Sequence, residues 1–250
     1  MSEFEMFAAA VIGLGFGAYF FMKGFEWFRR KRLIEGIPTC KVRSIAMGLV
    51  EVAGTAKPKK LLKGPFSGKE CVYYKYAIEE YRRTGKHSRW VKVKEGSSKE
   101  RFYLEDDTGQ VLVDPAGAEI DIPLDYESES GLGKDPPETV KNFISSAGLS
   151  HEGFLGMNKT MRYREYHIAP RDTLYVVGTA DDNPEVEEGI AVKGHEDVMI
   201  GKDDNWFYIS DTSEKKVLKK LSLKAWGSML GGPALIIGCL FYIFLVLRIL

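Results

Sequence analysis

The chain has 250 residues, and its 35 Lys and Arg balance 35 Asp and Glu, so the formal net charge is zero. This balance argues against a nucleic-acid-binding surface spread over the whole molecule, because such proteins usually carry excess basic charge. The three cysteines, Cys40, Cys71 and Cys239, are an odd number without a C-x-x-C spacing, which argues against a disulfide framework and favours a reducing compartment.

An uncharged segment of 17 residues, 6–22, lies near the N-terminus. Phe25, Trp27 and Phe28 extend it with aromatic residues of the kind found at membrane interfaces, so we predict a transmembrane helix over 6–28. The alternative is a cleaved signal peptide. The acidic leader, the lack of a small-x-small cleavage site and the basic run at 29–32 favour a retained membrane segment.

A second uncharged segment, 19 residues long, occupies 229–247 and predicts a second transmembrane helix. Before it, residues 211–226 predict a basic amphipathic connector helix, with Asp211 and Glu214 in capping-box spacing. Only three residues follow the second segment. We therefore expect the function to lie in the domain between the two membrane segments.

Basic residues are distributed unequally around the two segments. Eleven adjoin their inner ends and one, Arg248, follows the outer end. Since the positive-inside rule counts basic residues near the ends of membrane segments, we predict a multi-pass protein with a cytoplasmic middle domain and both termini outside. The eleven inner residues are Arg29, Arg30, Lys31, Arg32, Lys41, Arg43, Lys215, Lys216, Lys219, Lys220 and Lys224.

The residues between the segments, 40–212, predict a β-rich soluble domain. The clearest signal is a hairpin over 101–113, in which two apolar runs flank a turn at 106–109. Short strands with turn signals at this spacing predict an α+β fold that is mainly antiparallel β, a small barrel or sandwich. Residues 136–148 predict a short helix, and residues 57–70 and 125–137 predict loops. The other predicted strands cover 46–56, 72–82, 174–180, 189–194, 197–201 and 205–210; the first and third of these six end in Gly-Thr-Ala, which could mark two equivalent strands.

We predict no catalytic, cofactor-binding or metal site in this sequence. A RING domain needs about eight Cys and His ligands in short paired spacings, and this chain has three cysteines and four scattered histidines, His87, His151, His167 and His195. Cys71 paired with a distant histidine could act as a nucleophile, although a buried structural cysteine is far commoner. The tyrosines of 72–82 could stack bases, but sheet packing is the simpler interpretation. The acidic run 105–107 could hold a cation, and a polar turn is again simpler.

Five blocks in order resemble one known family: GLVEVAGTA (48–56), PFSGKECVYYKYAIEEY (65–81), FYLEDDTGQVLVDPAGAEI (102–120), YREYHIAPRDTLYVVGTA (163–180) and FYISDTSEKKVLKKL (207–221). They are similar to the GIDE domain of the MULAN-type mitochondrial E3 ubiquitin ligase family. The resemblance implies a domain between two transmembrane helices, in agreement with the layout above. Family ligases carry a RING after the second helix, so the resemblance identifies a RING-less member. Such members look prokaryotic, often archaeal, which implies a cell membrane.

These observations leave two main functional hypotheses. The first is a non-catalytic domain for protein interaction or membrane organisation. The second is an E3 ubiquitin ligase-family protein or adaptor in ubiquitin-like modification, with the RING absent or supplied in trans. A hydrolase using Cys71 or a Ser/His pair is a third alternative. We expect no cofactor and no nucleic acid; the expected partners are the lipid bilayer and a membrane or cytoplasmic protein, with self-association left open.

Overall fold

The computed structural model describes residues 3–85, 87–146, 160–184 and 197–247. The chain divides into two compact units, one containing the helices at its two ends and the other formed by Thr39–Thr212. The strand predicted at 189–194 lies outside the described residues. Three α-helices are described: α1 (Glu3–Gly36), α2 (Glu138–Ser146) and α3 (Glu214–Val246).

Helices α1 and α3 form the first unit. By length and composition each could cross a membrane, since their most apolar windows have mean hydropathies of 1.6 and 2.3. Helix α3 continues without a break from the predicted connector through the second apolar segment. The predicted capping box at Asp211 is wrong: Ser213 occupies the N-cap and the helix begins at Glu214.

The two long helices run antiparallel and contact each other through small residues. A Cβ atom added to Gly17 would lie 2.9 Å from the carbonyl oxygen of Gly232, and one added to Gly24 would lie 3.3 Å from that of Ala225. Small side chains at such positions let helix backbones approach closely, which is how helices commonly associate in membranes. Gly17 and Gly24 of α1 therefore serve the contact with α3.

The second unit is built from strands. In chain order they are β1 (Thr39–Cys40), β2 (Gly48–Pro58), β3 (Leu62–Lys63), β4 (Glu70–Cys71), β5 (Tyr73–Thr84), β6 (His87–Ser97), β7 (Phe102–Glu105), β8 (Gln110–Val113), β9 (Glu119–Asp121), β10 (Tyr126–Ser130), β11 (Met161–Ile168), β12 (Thr173–Asp182), β13 (Val198–Gly201) and β14 (Tyr208–Ser210). The predicted hairpin over 101–113 is confirmed as β7 and β8.

Five of these strands close into a barrel. The ring runs β2-β7-β8-β13-β12 and returns to β2, with β8 and β13 parallel and every other neighbouring pair antiparallel. Numbered in chain order, the ring is 1-2-3-5-4, which is the connectivity of an OB-type Greek-key barrel. The closing pair, β2 with β12, joins the two Gly-Thr-Ala segments as neighbours, with Val52 opposite Val176. The predicted α+β class with a small, mainly antiparallel barrel is confirmed.

A four-stranded antiparallel sheet, β10-β11-β5-β6, is inserted into the barrel sequence. Strands β5 and β6 come between β2 and β7, and strands β10 and β11 come between β8 and β12. The predicted loop over 125–137 is wrong in part, because Tyr126–Ser130 forms β10. Ser and Glu have low strand propensity, but pairing with five residues of β11 outweighs it.

Each sheet has its own core. The barrel interior is apolar and includes the fully buried Val52, Leu104, Val113 and Ile209. The inserted sheet packs against α2 through a second cluster containing Phe66, Ile78, Val140, Ile144, Met161 and Tyr163. Burying side chains of this size stabilises the fold by roughly 1.5–3 kcal/mol each.

Candidate functional site

The loop Pro65–Gly68 is organised around the buried carboxylate of Glu165. The alternation of β11 turns this side chain inward, and none of the residue is exposed. Its Oε2 accepts hydrogen bonds from the backbone N–H groups of Phe66, at 2.6 Å, and Ser67, at 3.0 Å, while the Ser67 hydroxyl donates to Oε1. A Cβ on Gly64 would lie only 2.2 Å from Oε1. Hydrogen bonds to Glu165 therefore fix the loop to strand β11, which contains the YREY segment (163–166).

The ring of Phe66 anchors the same loop from its other side. It makes edge-to-face contacts with Tyr76, Phe143 and Tyr163, at ring-centroid distances of 5.6, 5.4 and 5.8 Å. The hydroxyl of Thr139 also donates to the Phe66 carbonyl oxygen at 2.7 Å. Such aromatic pairs add roughly 0.5–1.5 kcal/mol each beyond the area they bury. These side chains hold the fold together and leave little surface for a ligand.

Cys71 lies beside this loop and is fully buried. Burial, with a smaller contribution from Glu165, raises the pKa of its thiol to about 11. The thiol is therefore protonated near neutral pH, whereas a nucleophilic cysteine must form the thiolate. His167 is close to Glu165, with Nδ1 at 3.4 Å from Oε1. The hydrolase alternative requires an exposed Cys71, and the structure buries it.

An open cleft of about 640 Å³ lies between the inserted sheet and strand β9. One of its lining residues is Lys75, whose amine donates to the carbonyl oxygen of Ile120 at 2.7 Å and lies 4.8 Å from the centroid of the Tyr166 ring. Burial lowers the pKa of Lys75, although Asp121 acts in the opposite direction. The cleft is lined by charges of both signs, three basic and three acidic: Lys75, Lys92, Arg164, Glu79, Glu95 and Asp121.

The comparison with protein-family models decides the family. The model of the GIDE family, described as E3 ubiquitin ligase, matches residues 73–242. This chain belongs to the GIDE family. The matched range begins with β5 and reaches into α3, so it includes most of the GIDE domain and part of the second apolar helix. No curated protein and no solved structure matches the chain.

The structure also places most of the other side chains that the sequence analysis of this GIDE-family chain considered as possible metal-binding or catalytic residues. Asp106 Oδ1 accepts hydrogen bonds from Thr108 and Gly109, so it forms the polar turn of the β7–β8 hairpin. Cys40 is half-buried in β1 and His87 is exposed at the start of β6, whereas His151 and His195 lie outside the described residues. Among the residues that the structure describes, no three His, Cys, Asp or Glu side chains are grouped as metal ligands. The expectation that the chain binds no metal and no cofactor stays a prediction.

The open face of the inserted GIDE sheet is held by ion pairs that the sequence analysis missed. Arg162 donates to Glu79 through Nε and Nη2, at 2.8 and 2.6 Å, and Arg164 donates to Glu127 at 2.7 Å. The guanidinium of Arg162 also lies 4.4 Å from the centre of the Trp90 ring. The alternating charges of β11 are a sequence signal for such ion pairs. The sequence does not identify the partners, because they lie 37 to 83 residues away.

Proposed function

We propose that this chain is a two-span membrane protein whose cytoplasmic GIDE domain binds a protein partner beside the bilayer without catalysing a reaction itself. The observation that carries the proposal is the open cleft beside β9, with the amine of Lys75 in its lining held by the Ile120 carbonyl oxygen. Small-molecule sites are usually enclosed and mostly apolar. An open cleft with balanced charges suits the polar surface of another protein.

The placement of Glu165 and Cys71, which lie in two of the blocks that carry the family resemblance, supports binding over catalysis. The Glu165 carboxylate accepts hydrogen bonds from the Pro65–Gly68 loop, and the Cys71 thiol is buried and protonated. Both groups therefore maintain the fold. A partner would instead meet the cleft residues and the exposed strand β6.

A photo-crosslinker on the rim of the cleft tests this proposal. We would replace Glu95, whose side chain is 66% exposed, with p-benzoylphenylalanine in the full-length chain, and place the same group at Glu138 on α2 as a matched control. The expected result is a discrete protein adduct from position 95 in native membranes, lost when Lys92 is changed to Glu. Equal labelling from both positions, or none from position 95, would contradict a partner at the cleft.

The orientation is part of the proposal and has its own test. The eleven basic residues at the inner ends of the apolar segments favour a cytoplasmic domain. The resemblance to RING-less family members is the basis for proposing the cell membrane of a prokaryote. In a Cys40→Ser background, Glu129→Cys places an exposed thiol on β10. We expect an impermeant maleimide to label this thiol only after the cells are opened. Labelling in intact cells would show that the domain lies outside the cell, the opposite of the proposed orientation.

The description of the family favours a second candidate, a role in ubiquitin-like protein modification. Three cysteines and four histidines are fewer than the eight ligands of a RING, so these residues do not form one, and in this second candidate the RING is absent or supplied in trans. We expect the purified full-length chain to hold no stoichiometric zinc and to leave a reconstituted transfer reaction unstimulated. Tightly bound zinc, or transfer that depends on Cys71, would instead favour the ligase.

A further inference from the structure

The inserted sheet ends in two edge strands of opposite charge. Its order is β10-β11-β5-β6, and among the described residues β10 pairs only with β11 and β6 only with β5. Strand β6 carries Arg89, Lys92 and Lys94 against one acidic residue, Glu95. Strand β10, with the sequence YESES, carries two glutamates and no basic residue. The unpaired backbone groups of an edge strand can pair with another chain, and these two edges attract each other by charge.

One row of charges of alternating sign crosses this sheet from edge to edge. In the strand register, Glu129 of β10 lies opposite Arg162 of β11, which lies opposite Glu79 of β5. Glu79 in turn lies opposite Lys92 of β6. Directly opposite residues share a face of the sheet, where opposite charges stabilise the pairing. Both ends of the row are exposed, with Glu129 at one edge of the sheet and Lys92 at the other.

The directions of the edge strands let this row continue into a second copy of the chain. All three neighbouring pairs in the sheet are antiparallel, so the first and fourth strands, β10 and β6, run in opposite directions. A second copy placed beside the first in the same orientation therefore brings its β10 antiparallel to β6 of the first copy. Glu129 then lies opposite Lys92 on the same face of a continued sheet, as strand pairing requires.

We propose that β6 of one copy of this chain pairs with β10 of a second copy, with Lys92 opposite Glu129. The contact is head-to-tail, because each copy has two different edges and binds a different neighbour at each. Lys92 already donates to Glu95 at 2.6 Å, but an ammonium group has three donors and can also bind a glutamate of the second copy. Two β6 strands side by side would instead bring basic residues together, which destabilises a strand pair.

The same charges limit which other strands can add to β6. Lysines on an edge strand and a β-bulge both discourage pairing with unrelated strands. Strand β6 has the lysines, and its register against β5 shifts between Ile78 and Glu79, as at a bulge. An acidic strand turns the repulsion by Lys92 into attraction, and this chain carries such a strand in β10. The contact between copies goes beyond the proposed partner at the cleft and does not depend on it.

Disulfide cross-linking of the purified full-length chain in detergent tests this inference. The background is Cys40→Ser with Cys239→Ala, which leaves only the buried Cys71. The test pair is Lys92→Cys with Glu129→Cys, since directly opposite residues in a strand pair are close enough for a disulfide. The matched control pair is Lys69→Cys with Asp203→Cys, which also replaces one basic and one acidic residue at exposed positions. Copper–phenanthroline in air is the oxidant.

We expect the test pair to give linked dimers and higher multimers, at least about fivefold more than the control pair. Each single cysteine variant alone should give none, and a mixture of the two single variants should give dimers only, because each copy then has one new thiol. Equal yields from the test and control pairs, or dimers from Lys92→Cys alone, would overturn the proposal. No other protein is present, so this result is separate from that for the cleft partner.

Charge exchange tests the register in chains without added cysteines. Association, measured by energy transfer between copies labelled at the N-terminus, should fall at least about fivefold for Lys92→Glu and for Glu129→Lys. Both changes in one chain should restore association, because the two opposite charges are then only exchanged. Near-ultraviolet circular dichroism reports whether each variant stays folded. Folded single variants that associate like the wild type, or a folded double variant that does not recover, would overturn the proposed pairing.

Discussion

Two carboxylates fasten loops in the domain, Glu165 in the inserted sheet and Asp106 in the barrel, and they differ in their access to water. Glu165 is fully buried and accepts from Phe66 and Ser67, about a hundred residues earlier in the chain. Asp106 is partly exposed at a hairpin turn and accepts from Thr108 and Gly109 within the turn. Its Oδ2 also accepts a hydrogen bond from a distant residue, the backbone N–H of Val42, at 3.0 Å.

The difference shows how burial scales the importance of the same interaction. If a buried acceptor is removed, its donors are left without water as a replacement partner, which costs about 1–3 kcal/mol for each donor. At a partly exposed turn, water can replace the lost acceptor. We therefore expect changes at Glu165 to have much larger effects than changes at Asp106.

The largest expected effect is that of Glu165→Ala. It leaves three donors of the Pro65–Gly68 loop without an acceptor and should lower the free energy of unfolding by about 3–5 kcal/mol. Urea unfolding of the full-length chain in detergent, followed by near-ultraviolet circular dichroism, measures this loss. Glu129→Ala, at an exposed position on β10, is the control and should change stability by less than about 0.5 kcal/mol. If the two variants lost the same free energy of unfolding, burial would not explain the importance of Glu165.

The sequence predicts the local elements of this fold better than its long-range contacts. The hairpin of β7 and β8 is visible because both apolar runs and the turn lie within 13 residues. The inserted sheet is less visible, since β10 has the composition of a loop and gains its order from β11. The role of Glu165 could not be predicted, because a charge in an alternating strand indicates a solvent-facing position until its partners, 98 and 99 residues away, are known.

A smaller loss is expected for Gly64→Ala, which tests the same loop without removing a hydrogen bond. The new methyl group would lie 2.2 Å from Glu165 Oε1, and separating the two atoms must move the loop or the carboxylate. Overpacking of this kind costs about 1–3 kcal/mol. The matched control is Gly201→Ala in β13, where an added Cβ meets nothing within 4 Å. The urea concentrations at which the two variants are half unfolded, measured by the same titration, show which variant is less stable. A Gly64→Ala variant as stable as Gly201→Ala would show that the loop can shift freely.

The smallest expected effect is the change in stability at low pH when Asp106 is replaced. Burial acts to raise the pKa of this carboxyl group, but the hydrogen bonds from Thr108, Val42 and Gly109 outweigh it and hold the pKa below its ordinary value of 3.8. The ionised group therefore stabilises the folded state at pH values above that ordinary value, and the contribution is lost as the pH falls through the lower, folded-state pKa.

Asp106→Asn keeps an acceptor oxygen without the charge, so we expect it to lower the free energy of unfolding by about 0.5–1.5 kcal/mol at pH 7. The gap between wild type and variant should close as the pH falls below about 4, because only the wild type loses a charge at this position. Urea titrations at a series of pH values measure the gap, with Asp203→Asn at an exposed position as the control. A gap that stays constant with pH would show that the charge of Asp106 does not stabilise the turn.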